Sequence, residues 1–136
     1  MRNKKVILDT NLWISFLISN KLQELDFLLE KGKIRLVFSN ELLEEFLTVV
    51  RRPKFEKYFS QENLNELFRL FDKYGELTEV AIQITECRDI KDNFLLSLAV
   101  ESNANFLISG DSDLLILKKI KKTKILNWAD FVLVIR

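Results

Sequence analysis

The sequence contains no histidine. That absence removes imidazole general bases, Ser-His-Asp and Cys-His nucleophile pairs, and every histidine-ligated zinc or iron site. A single cysteine, Cys87, rules out an internal disulfide and a cysteine-ligated structural zinc, and it fits a reducing compartment. With no sulfur or imidazole partner, Cys87 reads as a buried thiol. Only three glycines and one proline are present, so there is little of what keeps chains disordered. Long apolar runs are missing as well. The best, Leu12 to Ile18, is interrupted by Ser15 and falls far short of the roughly 18 residues that a membrane span requires. Behind the basic start Met1-Arg2-Asn3-Lys4-Lys5, the run Val6-Ile7-Leu8 stops at Asp9, too short for a signal-peptide core. A soluble, cytoplasmic protein without membrane association is expected.

What is present is core material and balanced charge. The 136 residues are 48% hydrophobic and 30% charged, with eleven Phe, a length and composition that predict one globular domain over residues 1–136. The net charge of +1 advertises no polyanionic partner. Distribution says more than the sum. Lys118, Lys119, Lys121, Lys122 and Lys124 crowd one stretch, and Arg51, Arg52, Lys54 and Lys57 another. Such clusters are ordinarily solvated faces, and they gain meaning only beside an independently argued polyanion site.

Strands and helices alternate along the chain. Lys5 to Leu8 reads as a first strand, followed by helical spacing over Asn11 to Ile18 and Leu22 to Leu29, with an interruption near Ser19-Asn20 and a stop at Gly32. Ile34 to Phe38 is a second strand, and Ser39 caps a helix whose apolar positions Leu42, Phe46 and Val50 precede Pro53. Ser60 caps another helix that ends before Gly75. Val80 to Ile84 alternates and predicts a third strand. An acidic turn, Cys87 to Asp92, leads into a helix from Asn93 to about Ser102. Phe106 to Ser109 and Lys124 to Leu126 predict two further strands, separated by a short helix at Leu114 to Leu117, and Trp128 to Val134 closes the chain as a helix. This alternation implies an α/β fold with right-handed crossovers, a mainly parallel central sheet of four to five strands, and helices on both faces.

The positions of the acids are the strongest functional signal. Open parallel sheets place their functional groups beyond the carboxyl ends of the strands. Asp9 follows the first strand, Asp111 and Asp113 follow the fourth, Glu41, Glu44 and Glu45 lie on the helix after the second, and Asp92 opens the helix that feeds the fourth. Singly, each has an ordinary reading as a turn former, a helix cap or a solvated charge, and Asp92 has an obvious one as a helix-start residue. Together they share one edge of the sheet. A carboxylate cluster there is unfavourable unless protons or cations neutralise it, and an all-oxygen set suits Mg²⁺ or Mn²⁺.

These segments carry a family resemblance. Val6-Ile7-Leu8-Asp9-Thr10-Asn11 resembles the opening signature of PIN-domain ribonucleases, and Phe38 to Glu45 resembles their second, acid-bearing element. Arg51-Arg52-Pro53-Lys54-Phe55 is similar to the branch described as toxins of bacterial toxin-antitoxin pairs. Cys87 to Leu95 and Leu107 to Leu114 resemble the third and fourth acidic elements, with Ser109 standing where Thr is more usual. The resemblance spans nearly the whole chain and implies a PIN-like three-layer α/β/α domain. It also implies a metal-dependent endoribonuclease that hydrolyses phosphodiester bonds of single-stranded RNA, using one or two Mg²⁺ or Mn²⁺ ions. At about 100° per residue, Glu45 lies on the flank of the apolar helix face while Glu41 and Glu44 turn further toward solvent, and the family spacing also selects Glu45. The implied catalytic and metal-holding residues are Asp9, Glu45, Asp92 and Asp111, with Asp113 as an outer or alternative ligand and Asn11 and Ser109 in support. Arg51, Arg52, Lys54, Lys118, Lys119, Lys121 and Lys122 become candidate RNA-backbone contacts. A cognate antitoxin protein and a homodimer are the implied partners.

Three other readings compete. A haloacid-dehalogenase-like, metal-dependent phosphatase needs a second Asp where Asn11 stands, and a phospho-accepting receiver domain needs an Asp and a Lys where Thr85-Glu86 and Asn127 stand. A catalytically silent PIN scaffold, acting as an RNA- or protein-binding module, is disfavoured by the retention of all four acids.

Overall fold

The computed structural model describes residues 4–19, 22–85 and 90–135. Asn20 of the expected helix interruption, and Cys87, Arg88 and Asp89 of the acidic turn, lie outside the described residues. In chain order the elements are β1 (Lys4–Leu8), α1 (Thr10–Ser19), α2 (Leu22–Glu30), β2 (Ile34–Phe38), α3 (Asn40–Val50), a 3-10 turn (Pro53–Phe55), α4 (Gln61–Tyr74), β3 (Gly75–Leu77), α5 (Ile90–Ser102), β4 (Phe106–Ile108), α6 (Ser112–Leu115), β5 (Lys119–Ile120), β6 (Thr123–Leu126) and α7 (Trp128–Ile135). They build a sheet of order β3-β2-β1-β4-β6-β5. Every described pairing is parallel except that of β5 with β6.

Consecutive residues of the inner strands, Val6-Ile7-Leu8, Leu36-Val37-Phe38 and Phe106-Leu107-Ile108, are all buried. Both faces of the sheet are therefore covered by helices, which gives the three-layer α/β/α arrangement. Aromatic contacts tie the layers together. Trp13 of α1, Phe38 of β2 and Phe71 of α4 have ring centroids 4.2 to 6.0 Å apart. Phe16 meets Trp128 of α7 at 4.8 Å, and Phe131 meets Phe106 at 5.3 Å. Local signals hold where the side chain fixes the backbone. Gly32 takes φ 70°, and the N–H groups of Gly32 and Lys33 bond the carbonyls of Leu29 and Leu28, a Schellman ending for α2. Ser39 Oγ accepts from Leu42 N at 3.1 Å and caps α3.

Two expectations change. The third strand is not Val80 to Ile84 but Gly75–Leu77, which pairs directly with β2. A Cβ on Gly75 would lie 2.4 Å from the Phe71 carbonyl oxygen, so only glycine lets the chain leave α4 straight into a strand. The backbone at 80–84 is instead served by side chains of α5: Ala81 N donates to Glu101 Oε1 and Ile84 N to Ser97 Oγ. The sheet also has six strands rather than four to five, because Lys119–Ile120 adds a short antiparallel strand on the far edge. Lys119 guards that edge against pairing with another chain.

The two-residue loop of that hairpin, Lys121-Lys122, holds Lys121 at φ 51°, where a β-carbon is strained. Lys121→Gly is expected to raise stability by about 1 kcal/mol, or roughly 3 °C in Tm. Lys122→Gly, at a residue whose φ is not positive, should leave Tm unchanged or lower it. Thermal melts of the two variants check the pair.

Candidate metal centre

The strand order reverses between β1 and β4: β2 and β3 lie on one side of β1, and β4, β6 and β5 on the other. The crevice of such a sheet opens at this switch point, beyond the carboxyl ends. The register pairs Leu8 with Ile108, so the next residues of both strands leave the sheet side by side. Asp9 N still donates to the Ile108 carbonyl at 3.1 Å, and Ser109 N to that of Leu126 at 3.0 Å. Asp9 Oδ1 accepts from Leu12 N at 2.9 Å and so caps α1, while Oδ2 accepts a short hydrogen bond from Ser109 Oγ. The same Ser109 oxygen accepts from Asp111 N at 3.0 Å, and Asp111 Oδ1 accepts from Asp113 N at 2.9 Å to cap α6. The turn-forming and capping readings of Asp9 and Asp111 are thus realised, and the same hydrogen bonds tie the two acids together through Ser109.

Asp9, Glu45, Asp92 and Asp111 line one cavity of about 250 Å³. Asp9 directly follows β1, Glu45 lies on α3, Asp92 on α5, and Asp111 caps α6 in the turn after β4, four separate parts of the chain. Asp92, the third residue of α5 rather than its cap, is 6% exposed. Glu45 is half-buried, whereas Glu41 and Glu44 are exposed, Glu41 lining neighbouring hollows. Carboxylate oxygens of Asp92, Asp111 and Asp113 lie within 4.8 Å of one another, which puts Asp113 closer to the cluster than its outer assignment implied. Asn11 lines the cavity, and with Asp9 and Asp111 it also lines an adjoining hollow of about 430 Å³.

The other wall is cationic and aromatic: Arg52, Lys54 and Phe55 face the same cavity. Neither Arg52 nor Lys54 forms an ion pair with a carboxylate among the described residues. Arg51 is exposed and is not among the lining residues of this cavity. Lys118, Lys119, Lys121 and Lys122 are not among the lining residues of this cavity, although Lys118, whose carbonyl accepts from Ile125 N, stands near the carboxyl end of β6 on the far edge of the sheet. Since β6 runs parallel to β4 and ends level with it at Leu126, the Lys121-Lys122 loop stands at the opposite end of the sheet, about 15 Å from the carboxyl edge at roughly 3.3 Å per residue. Residue-by-residue reading assigned no role to Thr10 and Phe55, which line the cavity. The Thr10 hydroxyl is buried without a hydrogen-bond partner among the described residues. Its place beside Asp9 was the available signal.

Burial pushes the Asp9 carboxyl above its ordinary value, and the negative charge of Asp111 acts in the same direction. The Ser109 hydroxyl and the Leu12 N–H oppose the shift without cancelling it. A carboxylate in this position is stabilised by a cation, and the all-oxygen donor set fits a hard ion such as Mg²⁺ or Mn²⁺.

Comparison with known proteins agrees with this fold. The PIN domain family model matches residues 5–113. No curated protein matches the sequence. Among solved structures, VapBC2 from Rickettsia felis, bound to a DNA fragment from their promoter, is similar in fold. The TM-score is 0.56 at 18% identity, over 91% of this chain and 98% of that one.

The Asp9 shift has a definite sign in stability. Below the ordinary carboxylate range Asp9 is protonated in both folded and unfolded protein, so wild type and Asp9→Asn should differ little. As pH rises, the unfolded chain releases the proton first and wild type loses stability relative to Asp9→Asn, until the folded carboxyl has also ionised. In chelator-treated protein, melts from pH 3 to 8 should show Asp9→Asn gaining over this window. Adding Mn²⁺ at ten times its Kd should then restore about 1.4 kcal/mol to wild type and little to the variant. A difference independent of pH would remove Asp9 as a strained buried acid.

Proposed function

Because the chain belongs to the PIN domain family, whose members are generally nucleases, we propose that it is a metal-dependent endoribonuclease acting on single-stranded RNA, and the toxin of a toxin-antitoxin pair. One observation carries this reading. Four acids from separate elements converge on a cavity at the sheet's switch point, and its opposite wall holds cations that no carboxylate occupies among the described residues. Asp9, Glu45, Asp92 and Asp111 would hold one or two Mg²⁺ or Mn²⁺ ions, with Asp113 beside them. When bound, such an ion activates water for attack and stabilises charge on the phosphoryl oxygens.

The chain's own residues supply the rest. Ser109 fixes the orientation of Asp9 and, through the Asp111 N–H, that of Asp111, the supporting contacts that keep ligands aligned. Asn11 offers an amide to the same cavity. With no histidine in the chain, carboxylates are the available proton acceptors. Hydrolysis of a phosphodiester adds water oxygen to phosphorus and breaks the bond to the 3' oxygen, leaving a 5' phosphate and a 3' hydroxyl. Arg52 and Lys54 neutralise the flanking phosphates. An antitoxin segment that occupies this groove would block all of these contacts at once, and a homodimer is the assembly the resemblance implies. Among the described residues no helix is long and apolar enough to cross a membrane.

Purified protein should cleave single-stranded RNA only with Mg²⁺ or Mn²⁺ added. Glu45→Gln should lower the rate at least about tenfold, equivalent to about 1.4 kcal/mol of transition-state stabilisation, and Glu44→Gln should leave it nearly intact. Gel-resolved initial rates decide the matter. Absence of metal-dependent cleavage in wild type would favour the silent-scaffold reading, and a reversed order of the two Glu variants would move the ligand by one residue.

A further inference from the structure

The 3-10 turn after α3 presents three different groups to the acidic cavity. Arg52 caps the turn in an extended conformation, Pro53 occupies its first position, and Phe55 N closes it on the Arg52 carbonyl at 2.9 Å. Arg52, Lys54 and Phe55 all line the cavity that holds Asp9, Asp92 and Asp111. The Phe55 ring is half-buried. It packs against the hydrophobic core and against Phe59, with centroids 5.8 Å apart. Lys54 Nζ lies 5.0 Å from the centroid of the ring. A half-buried ring that lines one cavity together with two cations and four carboxylates can serve as a platform, and that company constrains what uses it. A bare phosphate or a metal ion has no use for an apolar face, while a nucleic-acid strand alternates anions with flat π systems. In a duplex those π faces are stacked on their neighbours, so only an unpaired base can reach the ring.

Resting on the nuclease reading above, we propose that Phe55 is the base-stacking residue of the groove. It seats one unpaired base beside the phosphodiester while Arg52 and Lys54 hold the adjoining phosphates, so that single-strandedness is selected by the ring. Stacking of a base on an aromatic side chain contributes enough that its loss weakens binding on the order of tenfold or more.

The test uses the 136-residue chain carrying Asp111→Asn to slow cleavage, and a short single-stranded RNA in which one nucleotide, 2-aminopurine or abasic, is walked along the strand. At one position 2-aminopurine fluorescence should be quenched by proteins with Phe55 or Phe55→Trp and not by Phe55→Leu. An abasic nucleotide there should weaken binding about tenfold for Phe55 protein. Phe55→Leu should bind the intact strand about tenfold more weakly and lose nothing further to the abasic site, the non-additivity expected of contacting groups. Phe55→Trp should restore both signals, which a merely structural role for the ring would not produce. Equal abasic penalties for the Phe55 protein and its Phe55→Leu variant, no position-specific quenching, or no binding at all would overturn the proposal. The nuclease reading is judged separately, by metal-dependent cleavage of the unmodified strand by wild type.

Discussion

Parallel pairing of β1 with β4 is the constraint on which the rest of the site depends. It aligns Leu8 with Ile108 where the strand order reverses, so both strands turn out of the sheet at the same level. Their next residues are forced together. These are Asp9 on one side and the Ser109-Gly110-Asp111 turn on the other, and the Ser109 hydroxyl locks the two into one unit by donating to Asp9 and accepting from Asp111 N. The strands can sustain this crowding because Val6, Ile7, Leu8, Leu107 and Ile108 are at most 1% exposed. Burial of that much apolar surface stabilises the fold by far more than one strained carboxyl costs. The cost is nonetheless local, and it falls on the group a cation would relieve.

The two walls of the cavity divide the labour. One is built from strand ends and helix flanks, rigid elements that set positions to within a rotamer. The other is a short turn held by Pro53 and backed by Phe59, and it brings charge and an aromatic face. Among the described residues Arg52 and Lys54 form no ion pair with the acids they face. The lysines of the β5–β6 hairpin lie outside this cavity and shape the far edge of the sheet. Lys119 stands directly opposite Lys124, a like-charge pair that weakens the hairpin slightly and makes its outer edge a poor template for association.

Much of this was legible from sequence because it rests on local rules. Strand ends followed by Asp, the Ser39 cap and the Gly32 stop each combine one residue's chemistry with one backbone state. The phase of α3 separates half-buried Glu45 from exposed Glu41 and Glu44 for the same reason. Where tertiary packing decided, sequence reading failed. Val80 to Ile84 alternates like a strand, yet the edge of β2 was already taken by Gly75–Leu77, whose composition carries no strand signal and whose placement depends on a helix carbonyl 2.4 Å from a missing Cβ. The closeness of Asp113 to Asp92 joins residues far apart in the chain and has no periodicity to announce it. Phe55 was visible as part of a motif, but its exposure to the cavity depends on how the 3-10 turn docks against α3.

Anomalous diffraction from Mn²⁺-soaked crystals tests the central claim most directly, because it locates the ion without relying on activity or on stability. A peak is expected in the cavity beyond β1 and β4, bonded at roughly 2.1 Å to carboxylate oxygens drawn from Asp9, Glu45, Asp92 and Asp111. A peak confined to surface acids outside the cavity, or an empty cavity at Mn²⁺ concentrations that support RNA cleavage, would contradict it.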